Sequence, residues 1–174
     1  SGITVALTGD GGDELFGGYN RHYYGPLIYK IFSNYQNFFL KGISKFINKV
    51  PIMEKGLAKD KKQKLAKSIN NANNLSSLYV SFTNSWTNLK DIISDAYLEK
   101  NQLNQIQKNK IELISANASD PNNFFLMCDV HDYLPSDILV KLDRAAMYHS
   151  LETRAPLLDF RIAQAASEIP ISLG

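Results

Sequence analysis

The sequence contains one cysteine, Cys128, which excludes a disulfide within the chain. It lies in Phe124-Phe-Leu-Met-Cys-Asp129, an apolar, helix-compatible run where a thiol is expected to be buried and inert. No stretch approaches the roughly 20 apolar residues that cross a bilayer, and the N-terminus lacks the charged and apolar regions of a secretion signal. A cytoplasmic location without membrane contact is expected. A surplus of charge is missing too: 19 basic against 17 acidic residues leave +2, too little to call for nucleic acid. An initiating Met is absent, since Ser1-Gly-Ile-Thr runs straight into a strand pattern, and the chain stops at Pro170-Ile-Ser-Leu-Gly174. A piece of a longer protein is expected. Trp86, the one tryptophan, and the Tyr23-Tyr24 pair have core and interface readings alike.

What the chain has is enough apolar content, 44% over 174 residues, for one domain with a real core. Residues 3 to 8, Ile-Thr-Val-Ala-Leu-Thr, read as a buried parallel strand. A helix should follow from about Gly12, with Asp13 and Glu14 in its first turn, and Gly17-Gly18 should end it early. From Pro26 onward, Leu27, Ile28, Ile31, Phe32, Tyr35, Phe38 and Phe39 recur at helical spacing. Lys41, Lys45 and Lys49 fall on one helix face in a lysine-rich stretch, and a solvated face explains them better than nucleic-acid binding does.

Ile69-Asn-Asn-Ala-Asn-Asn74 and Asn117-Ala-Ser-Asp-Pro121 read as loops, with two or three helices between them. Asp120 before Pro121 should start a helix, Pro135 should interrupt it, and Ser136-Asp137 should restart it. Ala155-Pro156 should break that helix before Asp159 opens the last one. The expectation is a mostly α-helical chain with one N-terminal β-strand. A single strand makes no sheet, so its partners would lie elsewhere in the protein or in a second copy.

The stretch Val5-Ala-Leu-Thr-Gly-Asp-Gly-Gly-Asp-Glu-Leu-Phe-Gly-Gly-Tyr19 carries the chemistry. A strand, a glycine-rich turn and a helix start set backbone N–H groups where a phosphate would sit. Neither a Walker pattern nor GxGxxG is present, and carboxylates beside a phosphate repel it. A divalent metal removes the conflict, because Mg²⁺ takes one or two carboxylates together with phosphate oxygens and water. Asp13, with Asp10 as a candidate companion, reads as a ligand for Mg²⁺ on a pyrophosphate. The plainer alternative is that Asp10, Asp13 and Glu14 make a turn and cap a helix.

Thr8-Gly-Asp-Gly-Gly-Asp-Glu-Leu-Phe-Gly-Gly-Tyr19 resembles a signature of the synthetase domain of glutamine-dependent asparagine synthetases. Asp132-Tyr-Leu-Pro-Ser-Asp-Ile-Leu-Val-Lys-Leu-Asp-Arg-Ala-Ala-Met147, followed by Ser150-Leu-Glu-Thr-Arg-Ala-Pro-Leu-Leu-Asp159, resembles a later signature of the same family. The resemblance is thin between residues 25 and 115. It implies an α/β fold of the adenine-nucleotide α-hydrolase-like kind, a parallel sheet flanked by helices, of which residues 1–174 would be a partial synthetase domain. The family's pyrophosphate loop would lie upstream of Ser1, and its catalytic lysine and C-terminal end beyond Gly174.

The implied activity adenylates a carboxylate with ATP and Mg²⁺, releases pyrophosphate and lets ammonia attack the acyl-adenylate. Aspartate or another carboxylic acid would be the substrate, with ammonia supplied from glutamine by an N-terminal glutaminase domain of the same chain. Family members are often dimers, so a homodimer is among the implied states. Residue by residue, the resemblance makes Thr8 and Gly9 nucleotide-binding, Asp13 metal-binding and Asp10 catalytic, although family members include a glutamate at the Asp10 position. Lys141 and Arg144 match basic positions near the acid substrate; a solvated face neighbouring Asp137 and Asp143 is the alternative. Glu152 and Arg154 match scaffold positions that tie a turn to its neighbours. The piece alone is expected to lack synthetase activity. Relatives that adenylate other acids, and a non-catalytic helical interaction module, stand as alternatives.

Overall fold

The computed structural model describes residues 2–35, 37–49, 57–83, 93–94, 97 and 103–169. Trp86 lies outside them. In chain order the elements are β1 (Val5–Leu7), α1 (Gly12–Phe16), α2 (Asn20–Phe32), α3 (Asn37–Lys49), α4 (Leu57–Asn70), α5 (Leu75–Thr83), α6 (Leu103–Asn117) and α7 (Pro121–Cys128). A π-helical stretch (Asp129–Ile138) follows, then α8 (Leu139–Tyr148), β2 (Glu152–Arg154), a 3₁₀ turn (Pro156–Leu158) and α9 (Phe160–Glu168). The described residues are thus mostly helical, with one short parallel sheet of two strands. None of their helices is long and apolar enough to cross a membrane.

The chain divides into two compact units, Ser1–Tyr23 with Phe125–Gly174, and Tyr24–Phe124. The second has an ordinary apolar core: Leu40, Ala66, Ile69, Ala72, Leu78, Tyr79, Ile111 and Phe124 are all buried. Tyr79 and Phe124 meet edge-on at 6.2 Å, the favoured arrangement for aromatic quadrupoles. Ser68 and Ser81 are buried there as well, their hydroxyls 3.1 Å apart and each donating to a backbone carbonyl, Lys64 O and Leu78 O. Lys41, Lys45 and Lys49 are exposed on α3, as a solvated face requires.

Both loops read from the sequence are present. Asn71 to Asn74 turn the chain between α4 and α5, and Asn74 Oδ1 accepts from Ser77 N at 2.8 Å. Asp120 caps α7: its Oδ1 accepts from Asn122 N at 2.8 Å and Asn123 N at 3.1 Å. The Asn123 backbone bond, foremost among such contacts, holds the Asp120 carboxyl below its ordinary range. A lowered folded value stabilises the fold above the ordinary carboxylate range, and this contribution is lost as pH falls through the lowered value. Asp120→Ala is expected to cost about 1 kcal/mol at neutral pH, read from urea midpoints, and clearly less once acid has protonated the wild-type cap. An equal cost at both pH values would remove the carboxylate from the account.

Five expectations are corrected. First, β1 is not alone: β2 pairs with it in parallel, Val5 opposite Glu152, Ala6 opposite Thr153 and Leu7 opposite Arg154. Second, Glu152 and Arg154 therefore sit in a strand rather than a turn, on one face, where Arg154 Nε donates to Glu152 Oε1 at 2.8 Å. Third, β1 is not buried: Ile3, Val5 and Leu7 share a face and are 67, 41 and 74% exposed. A parallel strand is buried by layers on both faces, and no described element covers this face.

Fourth, the helix expected from Pro26 begins at Asn20, with Pro26 inside it. Fifth, Pro135 does not interrupt the helical path. An interior proline lacks the N–H and crowds the carbonyl four residues back, and at Pro135 the chain widens into π-helical geometry. Leu139 N–H closes the stretch onto Leu134 O, a five-residue step, and α8 continues directly. At the far end of α8, Leu151 N donates to Ala146 O and Ser150 N to Met147 O, both at 3.0 Å, with Ser150 at φ 53°. This Schellman arrangement stops the helix and turns the chain into β2.

Candidate functional site

The site is built where β1 ends. Thr8 N still belongs to the sheet, donating to Arg154 O at 2.9 Å, while the Thr8 hydroxyl is buried without a hydrogen-bond partner among the described residues. A buried hydroxyl without a partner costs free energy, and this one stands at the carboxyl end of a parallel strand, the edge where α/β sheets bind ligands. Gly9, exposed, and Asp10, half-buried, follow, and Gly12 N reaches back to Gly9 O at 3.3 Å. Gly11 takes a left-handed conformation, φ 92°, and a Cβ there would overlap the Leu158 side chain, 3.2 Å from its Cγ. Glycine is required at that position on both counts.

Asp13 is exposed one residue into α1 and is held from behind. The N–H groups of Gly17 and Gly18 both donate to its carbonyl at 3.0 Å. Its carboxylate lies over Gly18, where a Cβ would collide with it and come 3.1 Å from Asp13 Cα. The Gly17-Gly18 pair therefore ends α1, as the sequence suggests, and also makes room for the Asp13 side chain. Among the described residues no group of three or more His, Cys, Asp and Glu side chains is arranged to hold a metal ion. A cation at Asp13 would draw its remaining ligands from phosphate oxygens and water, the habit of Mg²⁺.

Lys141 and Arg144 lie together on the exposed side of α8, lining an open groove with Asp137, Tyr148 and His149. Lys141 Nζ is 3.8 Å from Asp137 Oδ2, an exposed pair one helical turn apart. Such pairs contribute about 0.3–0.5 kcal/mol. No described hydrogen bond or ion pair connects these cations to the loop of Thr8, Gly9, Asp10 and Asp13. The structure thus sets the loop residues side by side at the end of β1 and the two cations side by side on α8.

The sequence reading passed over a buried charged cluster beside α1. Asp129, fully buried at the start of the π-helical stretch, accepts from Arg21 Nε at 2.7 Å and from His22 Nε2 at 2.5 Å on the same oxygen. The Arg21 guanidinium lies between two aromatic faces, 3.9 Å from the Tyr19 ring centre and 4.4 Å from that of Tyr133. Tyr19 OH donates to Glu14 Oε1 at 2.7 Å, and Glu14 is only 2% exposed. Burial, then the Glu14 carboxylate, pushes the Tyr19 phenol up. Burial, with the charges of Asp129 and Asp132 adding to it, likewise keeps the Cys128 thiol protonated, as expected of an inert cysteine. One signal was available: Asp129 stands four residues after Phe125 and next to Cys128, on the apolar side of a helix, where a charge needs a partner.

A short parallel sheet whose first strand opens into a glycine-rich corner, among helices, is consistent with a fragment of an α/β domain. The chain belongs to the asparagine synthase family, whose profile matches residues 1–174. It is 28% identical over 178 residues to asparagine synthetase [glutamine-hydrolyzing] 1 of Bacillus subtilis, covering 98% of this chain and 26% of that protein. It is also 28% identical over 177 residues to a putative asparagine synthetase [glutamine-hydrolyzing] of Mycobacterium bovis, covering 97% of this chain and 24% of that protein. The chain therefore spans about a quarter of the length of the curated relatives it matches. No solved structure matches it significantly.

Proposed function

We propose that this chain is part of an ATP-dependent carbon–nitrogen ligase that makes asparagine from aspartate, with ammonia drawn from glutamine. The observation that carries the reading is the Thr8–Asp13 corner: a buried hydroxyl with no hydrogen-bond partner among the described residues and an exposed carboxylate at the carboxyl end of a parallel strand, in a chain of this family. In this reading the two-stranded sheet is part of a larger parallel sheet of the adenine-nucleotide α-hydrolase-like kind. Thr8 and Gly9 contact the nucleotide. Asp13 takes the Mg²⁺ of MgATP, which neutralises phosphate charge that the carboxylate alone would repel.

The reaction has two displacements. A carboxylate oxygen of the acid attacks the α-phosphorus and pyrophosphate leaves; ammonia then attacks the acyl carbon and AMP leaves with the C–O bond electrons. In this reading Asp10 is the group beside the acyl carbon and accepts the proton that the attacking ammonia sheds. Lys141 and Arg144 hold the carboxylate of the acid that does not react, the Arg guanidinium being suited to bidentate contact. A glutaminase domain of the same chain supplies ammonia, and the assembly is a cytoplasmic enzyme, with a homodimer among its possible states.

The test is pyrophosphate release by the intact parent protein with MgATP, comparing aspartate with a panel of other carboxylic acids, each with glutamine or ammonia. Aspartate-dependent release at least about tenfold above the acid-free background, with asparagine as product, is the expected result. Release that requires a different acid would keep the adenylation and overturn the asparagine assignment. No release with any acid would return the loop to a simple turn and favour a non-catalytic helical module.

A further inference from the structure

No described hydrogen bond or ion pair joins the buried cluster around Asp129 to the loop residues assigned to substrate, yet its contacts lead to α1 and the turn that ends it. α1 has five residues, too short to hold its own geometry, because a helix of little more than one turn is not stable by itself. Something in the fold must therefore fix where Asp13 stands.

Two chains of contact lead from Asp129 to that residue. In the first, Asp129 Oδ2 accepts from His22 Nε2 at 2.5 Å, which sets the proton on that nitrogen, since a carboxylate oxygen already receiving Arg21 Nε accepts rather than donates. The other ring nitrogen, Nδ1, is buried without a hydrogen-bond partner among the described residues and backs onto Gly17, where a Cβ would lie 3.8 Å from it. Gly17 and Gly18 in turn hold the Asp13 carbonyl. In the second, Asp129 holds Arg21, Arg21 lies on the Tyr19 ring, and Tyr19 OH holds Glu14, the residue after Asp13.

We propose that Asp129 is a positioning residue for the Asp13 loop, acting through His22 on the Gly17-Gly18 turn and through Arg21 and Tyr19 on Glu14. The proposal rests on Asp13 receiving the metal of MgATP. Asp129→Asn keeps the size and removes the charge that gathers Arg21 and the His22 N–H. In the parent protein it is expected to raise the KM for MgATP about tenfold or more, the usual loss when a residue that orients a metal ligand is changed, with kcat within about threefold. A merely structural role would lower kcat through the loss of folded enzyme and leave KM alone.

A second readout needs no turnover. Amide hydrogen exchange without nucleotide is expected to quicken at residues 12–18 in Asp129→Asn and to stay unchanged across Tyr24–Phe124, a second unit of the chain. His22→Gln keeps an N–H donor toward Asp129 and is expected to recover most of the affinity and protection that His22→Leu loses; this pair decides the matter if Asp129→Asn does not fold. Unchanged exchange and unchanged KM in Asp129→Asn, or equal behaviour of the two His22 variants, would overturn the proposal. A wild-type protein inactive with every acid would instead overturn the ligase reading, while the exchange experiment would still report on positioning.

Discussion

Asp13→Asn in the intact parent protein is expected to reduce acid-dependent pyrophosphate release by roughly 10²- to 10³-fold, the loss typical of one electrostatic group aimed at a reacting phosphate. The substitution isolates charge. Asn has the same shape, its backbone N–H and C=O are unaltered, and the two bonds from Gly17 and Gly18 to the carbonyl at 3.0 Å remain available. What is lost is the carboxylate that favours a hard divalent cation over water. Charges about 4 Å apart interact by about 4 kcal/mol at an effective dielectric near 20, so the change is large compared with any packing difference. Raising Mg²⁺ is expected to restore part of the rate, because the defect lies in cation affinity.

Gly18→Ala gives an independent view of the same group. Its Cβ would occupy the space of the Asp13 carboxylate, so the charge is kept but displaced from its ligating place, and the rate is expected to fall with a rise in the Mg²⁺ requirement, as in Asp13→Asn. Near-normal release in Asp13→Asn, at ordinary Mg²⁺, would take Asp13 out of the metal site and leave it as a turn residue.

Local chemistry made much of the molecule legible beforehand. Glycines flanking α1, Asp120 before Pro121 and Asp159 before Phe160 are each explained by one or two backbone bonds, and each stands where expected. Asp159 Oδ1 accepts Arg161 N at 2.9 Å while its carboxylate also receives the Arg161 side chain. What escaped depended on distant partners. Leu151-Glu-Thr-Arg154 has none of the β-branched run of residues 3 to 8, and Glu152–Arg154 becomes a strand only because β1 offers it an edge. Pro135 was read by the rule for α-helices, which the π-helical widening sidesteps. The pairing of Arg21 and His22 with Asp129 joins residues 108 and 107 positions apart and leaves no periodic trace. The loop itself was visible in composition, whereas the support behind it was not.

That support has a counterpart on the other side of the loop, and Gly11→Val measures it. Gly11 stands at φ 92°, a conformation in which a residue other than glycine costs about 1–3 kcal/mol and a β-branched one is a clear outlier. The added side chain would also meet Leu158, whose Cγ is 3.2 Å from the ideal Cβ position. Forcing atoms into an occupied site costs about 1–3 kcal/mol more, so the total is about 4 kcal/mol, read as urea-dependent amide exchange at residues 12–16. Leu158→Ala removes the obstacle and leaves the backbone strain. Gly11→Val combined with Leu158→Ala is therefore expected to be about 1–3 kcal/mol more stable than the sum of the single changes predicts, with the remaining cost set by φ. Strict additivity would mean that Leu158 does not press on Gly11, and a total below about 1 kcal/mol would mean that the loop relaxes freely. In either case the 3₁₀ turn that carries Leu158 would have no part in shaping the corner that carries Thr8 and Asp13.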